Sequence, residues 1–143
     1  MPFREKSAWI SLVLTLGVYG VYFVSYWRGL ASGLPFNVTI DFSLAVVVLV
    51  VLQVISTTVV AILSPRDAQA PEDERERLIN LRAKSAAYLT LQFGAVAAAA
   101  SVYFARGLGE AGGWVVANAV FCALVVSQLT QYLAVIIGYR RGV

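Results

Sequence analysis

The chain has 143 residues, of which 59% are hydrophobic and only 13% are charged. A soluble domain usually carries about 25% charged residues, and a chain of this length has too little interior to shield so much apolar sequence from water. The net charge of +3 does not indicate nucleic-acid binding, because the basic residues flank apolar runs and form no patch with interleaved aromatic residues. With no histidine and a single cysteine, Cys122, the composition excludes an intrachain disulfide and a cysteine-cluster metal site. We therefore expect no metal and no cofactor.

Four uncharged stretches have the length of a membrane-spanning helix, which needs about 20 apolar residues. The sequence therefore predicts an all-α membrane protein, a four-transmembrane-helix bundle in a lipid bilayer. We expect the first span to remain in the protein, because it is longer than the ~7–15 apolar residues of a signal peptide. The predicted spans are residues 7–27, 42–64, 85–105 and 113–138.

Basic residues are distributed unequally between the two ends of these spans. Nine lie before the first span, between the second and third, or after the fourth. Only Arg28 and Arg106 lie at the opposite ends. The positive-inside rule places the side with nine basic residues in the cytoplasm. Both termini are therefore predicted to be cytoplasmic.

The first and third spans begin and end with similar residues. The pattern RxKSA occurs at residues 4–8 and again at 82–86, and RGL follows at 28–30 and again at 106–108. The matches predict a duplicated two-helix hairpin whose copies insert in the same direction, related by an axis along the membrane normal. The other interpretation is that these residues are merely common at helix borders. The predicted repeat units are residues 4–66 and 82–141.

The two copies differ in the size of their side chains. Residues 19–23 of the first span are largely aromatic, whereas the corresponding residues 97–101 are small. Small residues allow helices to approach closely in lipid. We expect this face of the third span to make the tightest contact, either with the first span or with a second copy. Its small residues recur at helical spacing as two pairs, Gly94 with Ala98 and Ala97 with Ser101.

Residues 71–84, between the second and third spans, are rich in charge. Pro71 is followed by acidic residues, which is typical of the first turn of a helix. The pattern predicts that the third helix begins near Pro71 and extends about three turns out of the bilayer. One interpretation is a solvated helix extension; the other is a docking surface for a cytoplasmic protein or a second copy. The candidate docking residues are Glu74, Arg75, Arg77 and Arg82.

The stretch DERERLINLRAKSAAY, from Asp73 to Tyr88, resembles the cytoplasmic signature of small bacterial four-helix membrane proteins that carry a domain of unknown function. The opening REKSAWISL is similar to other short bacterial membrane proteins. The resemblance covers about a third of the chain. It implies four spans and the bacterial inner membrane, and it supplies no catalytic residues.

The residues predicted to lie within the hydrocarbon include several that are polar but neutral. Hydrogen bonding between helices is the simplest interpretation, at about 0.6–2 kcal/mol for each contact. The alternative is a site for a lipid, quinone or other amphiphile, walled by tyrosines. Asp41, at the outer end of the second span, is the nearest charged residue. The candidate intramembrane site comprises Gln53, Gln92, Gln128, Gln131 and Tyr22.

No nucleophile paired with a base, metal-ligand set or intramembrane acid is visible, so an enzyme is the class we least expect. We expect a non-enzymatic interaction or regulatory protein of the bacterial inner membrane. It is expected to form a homodimer and to use helix 71–84 for docking. The alternative is a small transporter or an amphiphile-binding module that uses the intramembrane glutamines.

Overall fold

The computed structural model describes residues 3–32, 38–63, 73–108 and 110–141, and every regular element in these ranges is helical. All four long helices are long and apolar enough to cross a membrane. This confirms the predicted all-α architecture with four apolar helices. A turn of 3₁₀ helix, Arg106–Leu108, follows the third helix. The helices are α1 (Phe3–Ser32), α2 (Val38–Leu63), α3 (Glu74–Ala105) and α4 (Glu110–Arg141).

Helix α3 begins where the sequence places its acidic residues. Asp73 is the N-cap, and its carboxylate accepts a hydrogen bond of 2.7 Å from the Glu74 N–H. The N–H of Arg77 donates to the carbonyl of Asp73 at 2.9 Å, which closes the first turn. Pro71, near which the start was predicted, lies outside the described residues. One continuous helix of 32 residues thus carries both the charged segment and the apolar span.

Contacts between helices divide the chain into two compact units, Met1–Glu72 and Asp73–Val143. Helices α1 and α2 form the first hairpin, and α3 and α4 form the second. The helices of the second hairpin contact each other far more extensively than those of the first.

The second hairpin is joined along a line of small residues, which we call the small-residue seam. Its positions follow steps of four, four and three residues, an 11-residue repeat that stays on one face of a nearly straight helix. The repeated positions are Gly, Ala, Ser or Thr on both helices, except for Val116 of α4, and small residues permit a close approach of the backbones. The seam comprises Ala83, Ala87, Thr90, Gly94, Ala98, Ser101 and Ala105 of α3, and Gly112, Val116, Ala119, Ala123, Ser127, Thr130, Ala134 and Gly138 of α4.

Contacts along the seam show that the two helices run antiparallel in a single register. A Cβ atom placed on Gly94 would lie 2.6 Å from Cβ of Ala123. At the end near the connection, Gly112 lies against the carbonyl of Ala105. Further along, the Ser127 hydroxyl donates to the carbonyl of Ala87 at 2.8 Å. Gly94, one of the α3 residues predicted to pack closely, therefore lies against α4, a partner that the sequence did not indicate.

The predicted second pair of small residues behaves differently from the first. Ala98 is buried on the same face as Gly94, whereas Ala97 is exposed. Ser101 is half-buried, and its hydroxyl donates to the carbonyl of Ala98 within α3. Small size alone therefore does not place a residue in the seam; its position in the 11-residue repeat does.

The first hairpin is built from larger side chains. Ser11 of α1 is joined to Gln53 of α2 by a hydrogen bond. Nearer the connection, the rings of Tyr22 and Phe42 meet edge to face with centroids 6.2 Å apart. These contacts make the two helices antiparallel. Helix α1 also buries a stripe whose steps alternate between three and four residues, a 7-residue repeat that differs from the repeat in α3. The stripe consists of Glu5, Ala8, Leu12, Thr15, Tyr19, Tyr22 and Tyr26, and Ser11 beside it is also buried.

Candidate functional site

The free end of the second hairpin carries the segment predicted for docking. At about 1.5 Å for each residue, the 32 residues of α3 extend about 48 Å, which exceeds the ~30 Å thickness of a hydrocarbon core. Helix α4 also has 32 residues. The last turns of α4 lie beside the charged segment of α3, so the end of this hairpin is a two-helix structure. The sequence indicated an extension of the third helix alone.

Two contacts hold the helices together at this end. Ile79 is buried, at 3% exposure, and lies against Gly138, whose absent side chain leaves room for it. A Cβ atom on Gly138 would lie 2.6 Å from Cγ2 of Ile79. One turn further out, the Tyr139 hydroxyl donates to a carboxylate oxygen of Glu76 at 3.0 Å. The seam is thus continued by a packed isoleucine and a hydrogen bond between side chains.

The side chains of the four candidate docking residues are all exposed on α3. Glu74, Arg75 and Arg77 occupy the first turn, and Arg82 lies in the third. Arg140 and Arg141 at the end of α4 are also exposed, so the basic character extends to the second helix. The structure therefore presents the predicted residues on one rigid support.

Two leucines lie exposed among these charges. Leu78 is 43% exposed and Leu81 is 55% exposed, although both belong to the charged segment. At helical spacing they lie on the side of α3 opposite Ile79 and Ala83, which face α4. The docking residues predicted from the sequence did not include these leucines. Their exposure depends on which face of α3 is covered by α4. The spacing of Ile79, Ala83 and Ala87 is the sequence signal that indicates this face.

The glutamines of the candidate intramembrane site do not form one cluster within either hairpin. Gln53 belongs to the first hairpin, where its side-chain amide donates to the Ser11 hydroxyl at 2.6 Å. In the second hairpin Gln92 and Gln128 are exposed, and Gln131 is half-buried. Tyr22, the fifth candidate, is buried. Interhelical hydrogen bonding therefore accounts for Gln53.

Around Gln53 the first hairpin retains unused hydrogen-bonding capacity. Thr15 lies one helical turn from Ser11 and is fully buried, at 0% exposure. Within the described part of the chain, neither the Thr15 hydroxyl nor the carbonyl oxygen of the Gln53 side chain has a hydrogen-bond partner. Threonines in the other helices bond to their own backbone instead, as Thr90 does to the carbonyl of Ala86.

A groove of about 600 Å³ lies between α1 and α2 on the surface of the first hairpin. Its walls are almost entirely apolar, and Gly17 leaves part of its floor without a side chain. Since the two helices are antiparallel, Ser25 and Asp41 lie at the same end. Residues lining the groove include Val13, Gly17, Val21 and Leu44 along its length, with Ser25 and Asp41 at that end.

Among the described residues, no group of three or more His, Cys, Asp or Glu could hold a metal ion. Comparison with protein-family models found no match, and neither the curated proteins nor the solved structures contain a match to this chain.

Proposed function

We propose that this chain is a multi-pass membrane protein that acts through protein interactions rather than catalysis, and that it forms a homodimer through the free end of its second hairpin. Its four apolar helices span the bilayer, with both termini in the cytoplasm. The distribution of the basic residues supports this orientation. The resemblance of residues 73–88 to bacterial four-helix proteins supports the bacterial inner membrane as its location.

The observation that carries the proposal is the exposure of Leu78 and Leu81 on a rigid, charged support. Protein interfaces commonly combine an apolar centre with a polar rim. Here the leucines form the centre, while charged residues such as Glu74, Arg77 and Arg82 form the rim. Because α3 is fixed by the seam and by Ile79, little conformational entropy is lost when this surface binds.

Two copies inserted in the same direction in one membrane can bind each other through this surface. A twofold axis along the membrane normal brings the same patch of each copy together, so the leucines of one copy pack on those of the other. Glu74 and Arg77 lie about one turn apart, and they contribute a negative and a positive charge at the edge of this contact. A soluble cytoplasmic protein with a matching apolar surface could use the same leucines.

We also infer that the two hairpins arose by duplication. The repeated RxKSA and RGL patterns at the borders of α1 and α3 support it, as does the division of the chain into two helix pairs. The copies have since acquired different packing, with a 7-residue repeat of larger side chains in α1 and an 11-residue repeat of small ones in α3.

The test compares Leu81→Ala with Leu89→Ala, a matched control. Both leucines belong to α3 and are similarly exposed, at 55% and 52%, but only Leu81 belongs to the charged segment. Energy transfer between labelled copies in lipid vesicles measures dimer formation. We expect Leu81→Ala to raise the dissociation constant about tenfold, as for the loss of ~1.4 kcal/mol, and Leu89→Ala to leave it unchanged. Equal effects of the two substitutions, or no effect of Leu81→Ala, would contradict docking through this surface.

A further inference from the structure

The groove of the first hairpin combines a long apolar wall with one charged end. Along α1 it extends from Val13 to Ser25, about 18 Å at 1.5 Å for each residue. One leaflet contributes about half of the ~30 Å hydrocarbon core, so the groove is about as long as one leaflet is deep. Gly17 has open space where a side chain would be, so the floor is accessible along its middle.

Asp41 gives the groove its chemical selectivity. It is half-buried at the same end as Ser25, and none of the residues that the structure describes forms an ion pair with it. A carboxylate at the border of a low-dielectric region is stabilised by a nearby cation. Arg28, one turn beyond Ser25, adds a positive charge on the same side of α1. The groove itself ends at the negative charge of Asp41, and the positive charge of Arg28 lies just beyond its lining, so charges of both signs are near this end, as in a zwitterionic headgroup.

We propose that this groove binds a membrane phospholipid that carries a primary ammonium in its headgroup, with one acyl chain along Val13, Gly17 and Val21. The ammonium lies at Asp41 and the phosphate towards Arg28. This proposal rests on the membrane insertion proposed above, and it concerns a surface separate from the dimer contact.

Photoactivatable phospholipids test this assignment in the full chain reconstituted in phosphatidylcholine vesicles. The probes share one diazirine-bearing acyl chain and differ in the headgroup, which is ethanolamine, choline or glycerol. Peptide mass spectrometry locates the attached lipid. We expect the ethanolamine probe to label residues 13–25 and 41–48 about fivefold more than the glycerol probe, the effect of roughly 1 kcal/mol for one charge at the membrane surface. The choline probe, which lacks N–H donors, should lie between them.

Three variants separate the groove from its surroundings. Gly17→Leu places a side chain in the groove and should abolish this labelling, whereas Gly20→Leu should preserve it, because Gly20 also has open space but does not line the groove. Asp41→Asn keeps the volume and removes the charge, so the ratio of ethanolamine to glycerol labelling should fall to about one. Equal labelling of the unsubstituted chain by these two probes would overturn the proposal. So would unchanged labelling of Gly17→Leu.

Labelling of α4 distinguishes the two proposals. If α4 is labelled by all probes while the first hairpin shows no headgroup preference, the groove assignment fails and membrane insertion stands. If none of the helices is labelled, membrane insertion itself fails, and the groove assignment fails with it.

Discussion

Gly94 shows how one missing methyl group allows the second hairpin to close. A Cβ atom at this position would lie 2.6 Å from Cβ of Ala123, which is attached directly to the α4 backbone and cannot rotate away. Gly138 differs, because the atom it would meet belongs to the side chain of Ile79. Close packing in lipid is stabilised mainly by van der Waals contact, so separating the backbones at Gly94 removes contacts on both sides.

Replacing Gly94 with alanine should therefore destabilise the protein by about 1–3 kcal/mol, the usual cost of overpacking. Gly113→Ala is the matched control, since Gly113 has open space beside it and alanine favours a helix by up to about 1 kcal/mol. Thermal unfolding in detergent, followed by circular dichroism at one heating rate, measures both. A lower midpoint for Gly94→Ala and an equal or higher one for Gly113→Ala is expected. Matching midpoints would show that the seam is not closely packed at Gly94.

At the scale of the elements, the free end of the second hairpin is a packed pair of helices. Ile79 and Leu81 are two residues apart on α3 but have opposite surroundings, 3% and 55% exposed. Ile79 contacts Gly138 of α4, whereas Leu81 lies on the far side of the helix. The same short segment thus has one apolar side chain that stabilises the hairpin and another that is available to a partner.

Substitution with alanine should separate these two roles. Ile79→Ala leaves a cavity beside Gly138 and should cost about 2–5 kcal/mol, while Leu81→Ala should change stability by about 0.5 kcal/mol or less. The same thermal unfolding measurement, combined with the dimer assay, tests the distinction. If Ile79→Ala proved as mild as Leu81→Ala, α4 would not support α3 beyond the apolar span.

At the scale of the whole molecule, the proposed orientation places the connection between α3 and α4 outside the cell and the charged segment inside. Gly107 is exposed beside that connection and has room for a side chain, so a cysteine fits there. Arg77 is exposed in the charged segment. Cys122 is the only natural cysteine, so Cys122→Ala provides a cysteine-free background.

In that background, a membrane-impermeant maleimide should label Gly107→Cys in intact spheroplasts, and Arg77→Cys only after the membrane is permeabilised. Gel-shift detection of the attached label reads out both variants. The reverse pattern would invert the orientation. Labelling of both variants in intact spheroplasts would show that α3, the one helix between them, does not span the membrane.

The four apolar helices follow directly from the length and hydropathy of the uncharged runs, and each predicted span falls within one helix over the described residues. The sequence does not show in the same way which helix packs against the small residues of α3. The pattern at Gly94 and Ala98 indicates that a close contact exists, but small residues carry no information about which helix provides it. The predicted span 113–138 gives no sign of the contacts at its end, because Gly138 with Ile79 and Tyr139 with Glu76 join positions about 60 residues apart.

The glutamines illustrate a second limit of the sequence. Gln53, Gln92 and Gln128 are chemically identical and all belong to apolar helices, yet among the described residues only Gln53 is bonded to a side chain of a neighbouring helix. What separates them is the rotation of each helix about its axis. That rotation is set by the packing of the two helices in each pair. The 7-residue and 11-residue repeats describe this packing, but they can be recognised only once the buried residues are known.

The overhang of the second hairpin has a mechanical consequence. In the proposed orientation α3 and α4 would act as one lever about 48 Å long, with a short arm in the cytoplasm and a long arm in the bilayer, because contacts between the two helices extend from Ile79 and Gly138 to Ala105 and Gly112. A partner that pulled on Leu78 and Leu81 would tilt both arms together. Binding at the cytoplasmic surface would thereby be transmitted as a change of helix tilt to the opposite face of the membrane, with no loop or hinge in between.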